Sequence, residues 1–151
     1  KSYAMTGWRI GYSASNPQLA KVMANYLSHS TSAPSTISQH AAITALTGPQ
    51  EDMQVMKEAF EKRRDHLVER MNRIEGVSCI KPEGAFYLFV KSPVENEKEF
   101  CEVCKQYNVL VVPGSSFACP GYVRIAYCVS YGQIERSLPA FRKIAKHYNL
   151  V

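Results

Sequence analysis

The sequence of 151 residues predicts an α/β chain in which helices pack on a small sheet, with a small α+β domain toward its C-terminal end. Two observations predict this class. Apolar residues recur at helical spacing in five segments, and after Gly76 short apolar strands alternate with helices. The 46% hydrophobic content is typical of a globular protein, and no run approaches the roughly 18 apolar residues of a membrane span. We therefore expect a cytoplasmic protein with a sizeable core.

The first half of the chain is predicted to be mainly helical after a short strand over 9–15. Asn16 and Pro17 have the character of an N-cap and a first helical position, so they predict a helix over 17–29. A second helix is predicted over 36–47, where a Gly-Pro pair stops it, and the longest pattern covers 50–75. We expect this long helix to bridge two substructures, with a boundary near its middle. Its apolar stripe contains Met53, Met56, Phe60, Leu67, Met71 and Ile74.

The second half is predicted to alternate between strands and helices. Strands are expected over 77–80, 86–90, 109–112 and 122–127. Helices are expected over 97–107 and 133–147. Pro139 is a potential kink in the last helix. The inner face of that helix is predicted to contain Ile134, Leu138, Phe141, Ile144 and Ala145.

The net charge of +5 does not indicate a nucleic-acid-binding protein, because basic and acidic residues are mixed along several helices. The densest basic cluster, at 62–64, lies between Glu61 and Asp65. This pattern is typical of a solvated helix face. We therefore expect neither a nucleic acid nor a membrane among the partners of this protein.

The cysteines and histidines do not predict a metal site. Five cysteines, with no secretion signal, favour reduced thiols. Cys101 and Cys104 form a C-x-x-C within a predicted helix, but no second pair and no paired histidine accompany them. Packing of small apolar side chains explains this pair better than zinc or redox chemistry. The four histidines are scattered at positions 29, 40, 66 and 147.

Three stretches carry residues that a scaffold alone does not require. In the opening Lys-Ser-Tyr-Ala-Met-Thr-Gly-Trp-Arg-Ile-Gly-Tyr, an amine suited to imine formation at Lys1 precedes Arg9, a cation suited to a phosphate, and glycines 7 and 11 permit close backbone approach. A Gly-Ala turn at 84–85 leads aromatic residues into a strand. After the Pro-Gly-Ser-Ser-Phe stretch at 113–117, Arg124 interrupts an apolar strand. A buried arginine needs an anionic partner, since an unpaired buried charge is costly.

Each of these three charged residues also has a simpler interpretation. Lys1, taken alone, is a solvated chain end. Arg9 is compatible with a charge at a strand edge, and Arg124 with a structural ion pair to a carboxylate of the final helices. The residues that follow Lys1 are what favour a functional role.

Together these stretches resemble the fold-type I pyridoxal-phosphate-dependent aminotransferases, class I and II, of the aspartate aminotransferase-like kind. The opening segment keeps each restricted position of the lysine signature of that family. The Gly-Ala-Phe-Tyr, Pro-Gly-x-x-Phe and Val-Arg-Ile-Ala-Tyr stretches match in order and spacing, so the resemblance covers nearly the whole chain. The signature positions are Lys1, Ala4, Met5, Gly7, Arg9, Ile10 and Gly11.

The resemblance implies a cofactor, pyridoxal 5'-phosphate, and a role for three residues. Lys1 would be the Schiff-base lysine, which then moves a proton between the substrate and the cofactor. Arg9 would bind the cofactor phosphate. Arg124 would bind the substrate α-carboxylate with its two-pronged guanidinium.

The resemblance also implies that the chain is the C-terminal portion of a longer protein. Family members are about twice this length or more, and are homodimers. Residues 1–48 would be the tail of the large cofactor-binding domain, 49–75 a linking helix, and 76–151 the small domain. The remaining groups that hold the cofactor would lie upstream, so the isolated chain is expected to be inactive.

The expected activity of the parent protein is transfer of an amino group between an L-amino acid and a 2-oxo acid, with aspartate as the first candidate. Aromatic, kynurenine-type and broader-range transaminases remain open. Two further alternatives are the aminotransferase-like ligand-sensing domain of a transcription regulator and a related fold-type I lyase.

Overall fold

A computed structural model describes residues 1–150 and divides the chain into two units, Lys1–Lys57 and the residues from Glu58 onward. The first unit contains a 3-10 turn at Thr6–Trp8 and the helices α1 (Pro17–Ser30) and α2 (Thr36–Thr47). It ends within α3 (Glu51–Asn72), so the division falls inside the long helix. The predicted boundaries at 48 and 75 stay predictions.

Local capping interactions explain why the start of α1 and the end of α2 could be predicted from the sequence. The Asn16 side chain accepts a hydrogen bond from the Leu19 amide at 2.9 Å, and Pro17 occupies the first turn, where no amide donor is needed. At the end of α2 the Gly48 amide donates to the Thr44 carbonyl at 2.8 Å. A side chain at position 48 would lie 2.7 Å from that carbonyl oxygen, which explains the glycine.

The apolar stripe of α1 is not covered within the first unit. Leu19, Tyr26 and Leu27 are 48%, 72% and 47% exposed. The helix was therefore predicted correctly, but its amphipathic pattern does not correspond to a core among the described residues.

The second unit has a three-stranded antiparallel sheet with helices packed on it. Its strands are β1 (Tyr87–Lys91), β2 (Val112–Pro113) and β3 (Tyr122–Ala126), in the order β1-β3-β2. Its helices, besides the end of α3, are α4 (Glu97–Gln106) and α5 (Tyr131–His147), and a second 3-10 turn covers Gly114–Phe117.

One face of this sheet and the inner sides of the helices form the core. Leu88, Val90, Val123 and Ile125 alternate with outward residues along β1 and β3, as the period of two requires. All five residues predicted on the inner face of α5 are buried. In α3 the end of the predicted stripe, Leu67 and Met71, is buried, followed by Ile74. Pro139 lies inside α5, and the helix continues through it.

Three predicted strands were wrong or too long. The structure has no strand over 9–15. At 77–80 the structure has only an isolated bridge between Cys79 and Val90. At 109–112 only the last residue enters β2, because the Val109 amide donates to the Cys104 carbonyl and thus closes the end of α4. Leu110 is 83% exposed, so the apolar run is not a buried strand.

A buried carboxylate connects α4 to the loop before β3. Glu97 is 7% exposed, and its Oε2 accepts a hydrogen bond from the Gly121 amide at 3.3 Å. Hydrogen bonds from the Ser115 hydroxyl and from backbone amides lower the pKa of this carboxyl below the usual 4.5. The ionised form is therefore the one that this packing stabilises.

We expect Glu97→Gln to reduce the acid sensitivity of the fold. A lowered pKa contributes stability that is fully present above 4.5 and is lost as the pH falls through the lower value in the folded state. The variant should melt at a lower temperature than the wild type near neutral pH, and this difference should shrink as the solution is acidified. Melting curves at several pH values check this, with the exposed Glu95→Gln as the control. An equal deficit at every pH would contradict the role of the charge.

Candidate functional site

The opening segment is held on α2 by its own backbone. The Trp8 amide donates to the Met5 carbonyl at 3.2 Å and closes the first 3-10 turn. The Ser38 hydroxyl, on α2, donates to the Trp8 carbonyl at 2.9 Å, and Ser38 is only 5% exposed. This partly buried hydrogen bond fixes the turn against the helix, which positions the residues on either side of it.

A second anchor is the side chain of Gln50. The Tyr3 hydroxyl donates to Gln50 Oε1 at 2.8 Å. Gln50 Nε2 donates to the carbonyls of Ala45 at 3.0 Å and Gly48 at 2.7 Å. One amide therefore satisfies carbonyls at the C-terminal end of α2 and ties the segment after Lys1 to them.

Lys1 and Arg9 line the same cleft in the first unit. The cleft is open and has a volume of about 710 Å³, within the range of about 300–1,000 Å³ for small-molecule sites. Its walls include the side chains of Ile10 and, from α2, Ile43 and Leu46. The cleft therefore combines a primary amine, a guanidinium and apolar surface.

The left-handed backbone conformations of this segment do not fall on its glycines, and the prediction that Gly7 and Gly11 permit close backbone approach stays a prediction. Neither Gly7 nor Gly11 has a positive φ, and a Cβ at either position would meet no atom within 4 Å. The left-handed conformations fall instead on Ala4, with φ of 53°, and on Arg9, with φ of 52°. At Arg9 this conformation ends the 3-10 turn, where both the Arg9 amide and Nη1 donate to the Thr6 carbonyl, at 3.4 and 3.3 Å. The guanidinium is exposed and retains further N–H donors.

Arg124 lies on β3 in the second unit, on the face of the sheet opposite the core. Its neighbours Val123 and Ile125 point inward, so the period of two directs Arg124 outward and leaves it half-buried. We expected a buried arginine in this strand, whereas Arg124 is half-buried on the face away from the core. Across the sheet it pairs in register with Phe89 on β1 and Val112 on β2.

Two aromatic rings surround the Arg124 guanidinium. Its central carbon lies 4.2 Å from the ring centroid of Tyr87 and 3.9 Å from that of Phe117. Such cation–π contacts are worth about 0.5–2 kcal/mol and hold the guanidinium in place. Among residues 1–150, no carboxylate forms an ion pair with Arg124. The proposed structural ion pair with the final helices is therefore absent from the described chain.

The turn before β1 is fixed by Tyr127. Ala85 takes a positive φ of 59°, and its carbonyl accepts a hydrogen bond from the Tyr127 hydroxyl at 3.0 Å. The Tyr127 amide donates to the Phe86 carbonyl, also at 3.0 Å. Tyr127 is 2% exposed, and burial raises the pKa of its hydroxyl. The Gly-Ala turn that leads into Tyr87 is thus held by Tyr127, the residue directly after β3.

We expect Tyr127→Phe to lower the free energy of unfolding by about 1 kcal/mol, because the Ala85 carbonyl loses its buried donor while the ring packing remains. Urea denaturation followed by circular dichroism measures this difference. The exposed Tyr122→Phe serves as the control and should change little. A Tyr127→Phe variant as stable as the wild type would show that the hydroxyl does not hold the turn.

Cys101 and Cys104 are both buried in α4. Burial raises the pKa of the Cys104 thiol to about 12, so it stays protonated and inert at neutral pH. No group of three or more His, Cys, Asp or Glu side chains within residues 1–150 is arranged to hold a metal ion. Over the same residues, no helix is both long and apolar enough to cross a membrane.

Sequence reasoning missed the residues that support the site from a distance. Ser38, Gln50 and Tyr127 act through contacts 30, 47 and 42 residues away in the chain. In the sequence, Ser38 is an ordinary polar residue within a helix and Gln50 an ordinary polar residue at a helix start. The one available signal was the hydroxyl of Ser38, which lies on the buried side of α2.

Comparisons with known proteins agree with one another. The model of the family described as aminotransferase class I and II matches residues 1–141. The aspartate aminotransferase of Bacillus subtilis (strain 168) is 40% identical over 161 residues, which cover 97% of this chain and 40% of that protein.

Solved structures give the same result. The aspartate aminotransferase of Rhizobium meliloti aligns with a TM-score of 0.82 at 39% identity, over 99% of this chain and 40% of that one. The aromatic aminotransferase of Pyrococcus horikoshii aligns with a TM-score of 0.86 at 33% identity, over 100% and 42% of the two chains. The chain thus spans about 40% of the length of the proteins that it matches.

Proposed function

Because the chain belongs to the aminotransferase class I and II family, we propose that it is the C-terminal part of an enzyme that transfers an amino group between an L-amino acid and a 2-oxo acid. The observation that carries this proposal is the shared cleft of Lys1 and Arg9. We propose aspartate as the first amino donor to test, since the Bacillus subtilis and Rhizobium meliloti relatives are named aspartate aminotransferases. The Pyrococcus horikoshii structure is named an aromatic aminotransferase, so aromatic donors are the second choice.

The residues of the cleft fit pyridoxal 5'-phosphate. This cofactor presents an aldehyde, which needs a primary amine, and a phosphate, which needs a fixed cation. Lys1 and Arg9 provide one of each on the same cleft, and its volume accommodates a small ligand. When bound, pyridoxal phosphate supplies an electron sink for charge that develops on the substrate α-carbon.

Lys1 would hold the cofactor covalently through Nζ and, once released by the substrate, carry a proton to and from the substrate α-carbon. The turn that begins at Lys1 is closed by a local backbone hydrogen bond, in which the Ala4 amide donates to the Lys1 carbonyl at 3.1 Å. The anchors at Ser38 and Gln50 stabilise the following residues. These hydrogen bonds would limit the range of positions that the Lys1 amine can take in the cleft.

Arg9 would bind the phosphate, for which its exposed guanidinium retains donors beyond the one used by the Thr6 carbonyl. The left-handed backbone at Arg9 sets the direction of this side chain relative to the 3-10 turn. Lysine at this position would keep the charge but not the paired donors.

Arg124 would bind the α-carboxylate of the substrate and orient the bond that is broken. Its support is local: the guanidinium lies against Tyr87 and Phe117, and no carboxylate of residues 1–150 neutralises it. A cation held by aromatic faces keeps its N–H edges available for an incoming carboxylate. Since the residues around Arg124 belong to the second unit, its role and that of Lys1 are tested separately.

The activity is tested on the full-length protein, loaded with cofactor and given 2-oxoglutarate with aspartate, tyrosine or kynurenine. We expect glutamate to form fastest with aspartate. The isolated chain should form none, because it supplies only part of the groups that hold the cofactor. No glutamate from any donor, with the cofactor bound, would contradict the proposal. We further propose that the full-length protein is a cytoplasmic homodimer. Size-exclusion chromatography with light scattering tests its oligomeric state.

A further inference from the structure

A polar cluster outside the proposed site joins α3 to α5 in the second unit. The Tyr131 hydroxyl lies 2.9 Å from His66 Nδ1, and the rings of these residues are 4.6 Å apart between centroids. The other ring nitrogen, His66 Nε2, is hydrogen-bonded to Glu135 Oε1. His66 therefore lies between a phenol and a carboxylate. None of the three residues lines the cleft of the first unit.

The hydrogen bonds determine which atoms carry protons when the imidazole is neutral. An ionised carboxylate only accepts hydrogen bonds, so Nε2 must carry the proton and donate it to Glu135. Nδ1 is then left with its lone pair, and the Tyr131 hydroxyl donates to it. A hydroxyl, an imidazole and a carboxylate linked in this order form the arrangement in which a base activates a nucleophile and a third group orients the base.

The exposure of the three groups matches these roles. Tyr131 is 48% exposed, so a reagent from solution has access to its hydroxyl. The His66 side chain is only 13% exposed, which shields the base, and the Glu135 side chain is 42% exposed. A cluster that served only to connect two helices would not need an accessible hydroxyl at its outer end.

We propose that Tyr131 is a base-assisted nucleophile and a site of covalent modification by activated acyl donors. Its hydroxyl oxygen attacks the acyl carbon and forms an ester bond. The bond between that carbon and the leaving group breaks, and the leaving group departs with the electron pair. The phenol proton passes to His66 Nδ1, and the resulting imidazolium is stabilised by the Glu135 carboxylate.

The test uses N-acetylimidazole at limiting concentration and mildly alkaline pH, with the acetylation of each tyrosine followed by peptide mass spectrometry. Tyr122, in the same unit and 37% exposed, is the internal control. We expect Tyr131 to be acetylated about tenfold faster than Tyr122 or more, since general-base assistance contributes about 10²–10⁴-fold. Equal acetylation rates at Tyr131 and Tyr122 in the wild-type protein would overturn the proposal, and no variant is needed for this test.

Two variants separate base assistance from simple exposure. His66→Gln keeps a hydrogen-bonding side chain that cannot take a proton, and Glu135→Gln removes the charge that stabilises the imidazolium. Both should lower the rate at Tyr131 toward that at Tyr122 while leaving Tyr122 unchanged. Melting curves establish that each variant is folded. A folded His66→Gln protein in which Tyr131 still reacts at the wild-type rate would show that the histidine has only a structural role.

Discussion

Replacing Lys1 with alanine should lower the rate of amino transfer by the full-length protein by about 10⁴-fold or more. General acid–base assistance alone contributes about 10²–10⁴-fold, and the covalent attachment of the cofactor would be lost as well. The cleft should survive the change, because the anchors that hold the opening segment come from Tyr3, Ser38 and Gln50. We therefore expect a folded protein without turnover.

Turnover is measured with aspartate and 2-oxoglutarate, and bound cofactor by its absorbance after gel filtration. Lys21→Ala is the matched control, since it removes an exposed lysine of α1 in the same unit. It should leave turnover within about twofold of the wild type, as expected for an exposed surface position away from the chemistry. A Lys1→Ala enzyme that retained turnover would remove Lys1 from the reaction.

Replacing Arg124 with lysine should lower kcat/KM for the amino acid by about 10- to 100-fold, with most of the change in KM. A hydrogen bond to a charged group contributes about 1.5–3 kcal/mol, and lysine loses one of the two parallel bonds that a guanidinium makes to a carboxylate. Lysine also loses the stacking on Tyr87 and Phe117, which hold the guanidinium in the structure. The remaining ammonium keeps the charge without the orientation.

Steady-state kinetics with several concentrations of the amino donor give this result. Arg142→Lys, at an exposed position of α5, is the control and should leave both constants unchanged. Unchanged kcat/KM in Arg124→Lys, with normal cofactor binding, would contradict recognition of the α-carboxylate by Arg124. Loss of cofactor binding instead would assign Arg124 a different role.

The helices could be predicted from the sequence because their signals are local. Asn16 caps α1 with a hydrogen bond three residues away, and the Gly-Pro pair after α2 acts at the same short range. The inner face of α5 follows from helical spacing alone, and all five of its predicted residues are buried. Physical information of this kind lies within a few residues of where it acts.

The strands and the support of the site were predicted less well than the helices. Val109 stays outside β2 because its amide donates to the Cys104 carbonyl and closes the end of α4, which the apolar run does not reveal. Arg124 faces away from the core because its neighbours on β3, Val123 and Ile125, face the core and side chains alternate along a strand. The left-handed backbone at Arg9 also has no glycine to indicate it in the sequence.

The candidate site was found through resemblance rather than through geometry. Spacing alone left Lys1 as a possible chain end and Arg9 as a possible edge charge. The structure adds that Lys1 and Arg9 line one cleft. It also adds that Ser38 and Gln50 hold the segment between these two residues. Ser38 and Gln50 belong to no recognisable motif and lie outside the opening stretch, so the sequence of that stretch could not identify them.

Reductive trapping tests the central claim most directly. The full-length protein is incubated with pyridoxal phosphate, treated with borohydride and digested, and the peptides are analysed by mass spectrometry. If Lys1 holds the cofactor, the added phosphopyridoxyl mass will be on the peptide that contains Lys1 and will be absent from Lys1→Ala. Recovery of that mass on another lysine, such as Lys21 or Lys57, with Lys1 unmodified, would contradict the account.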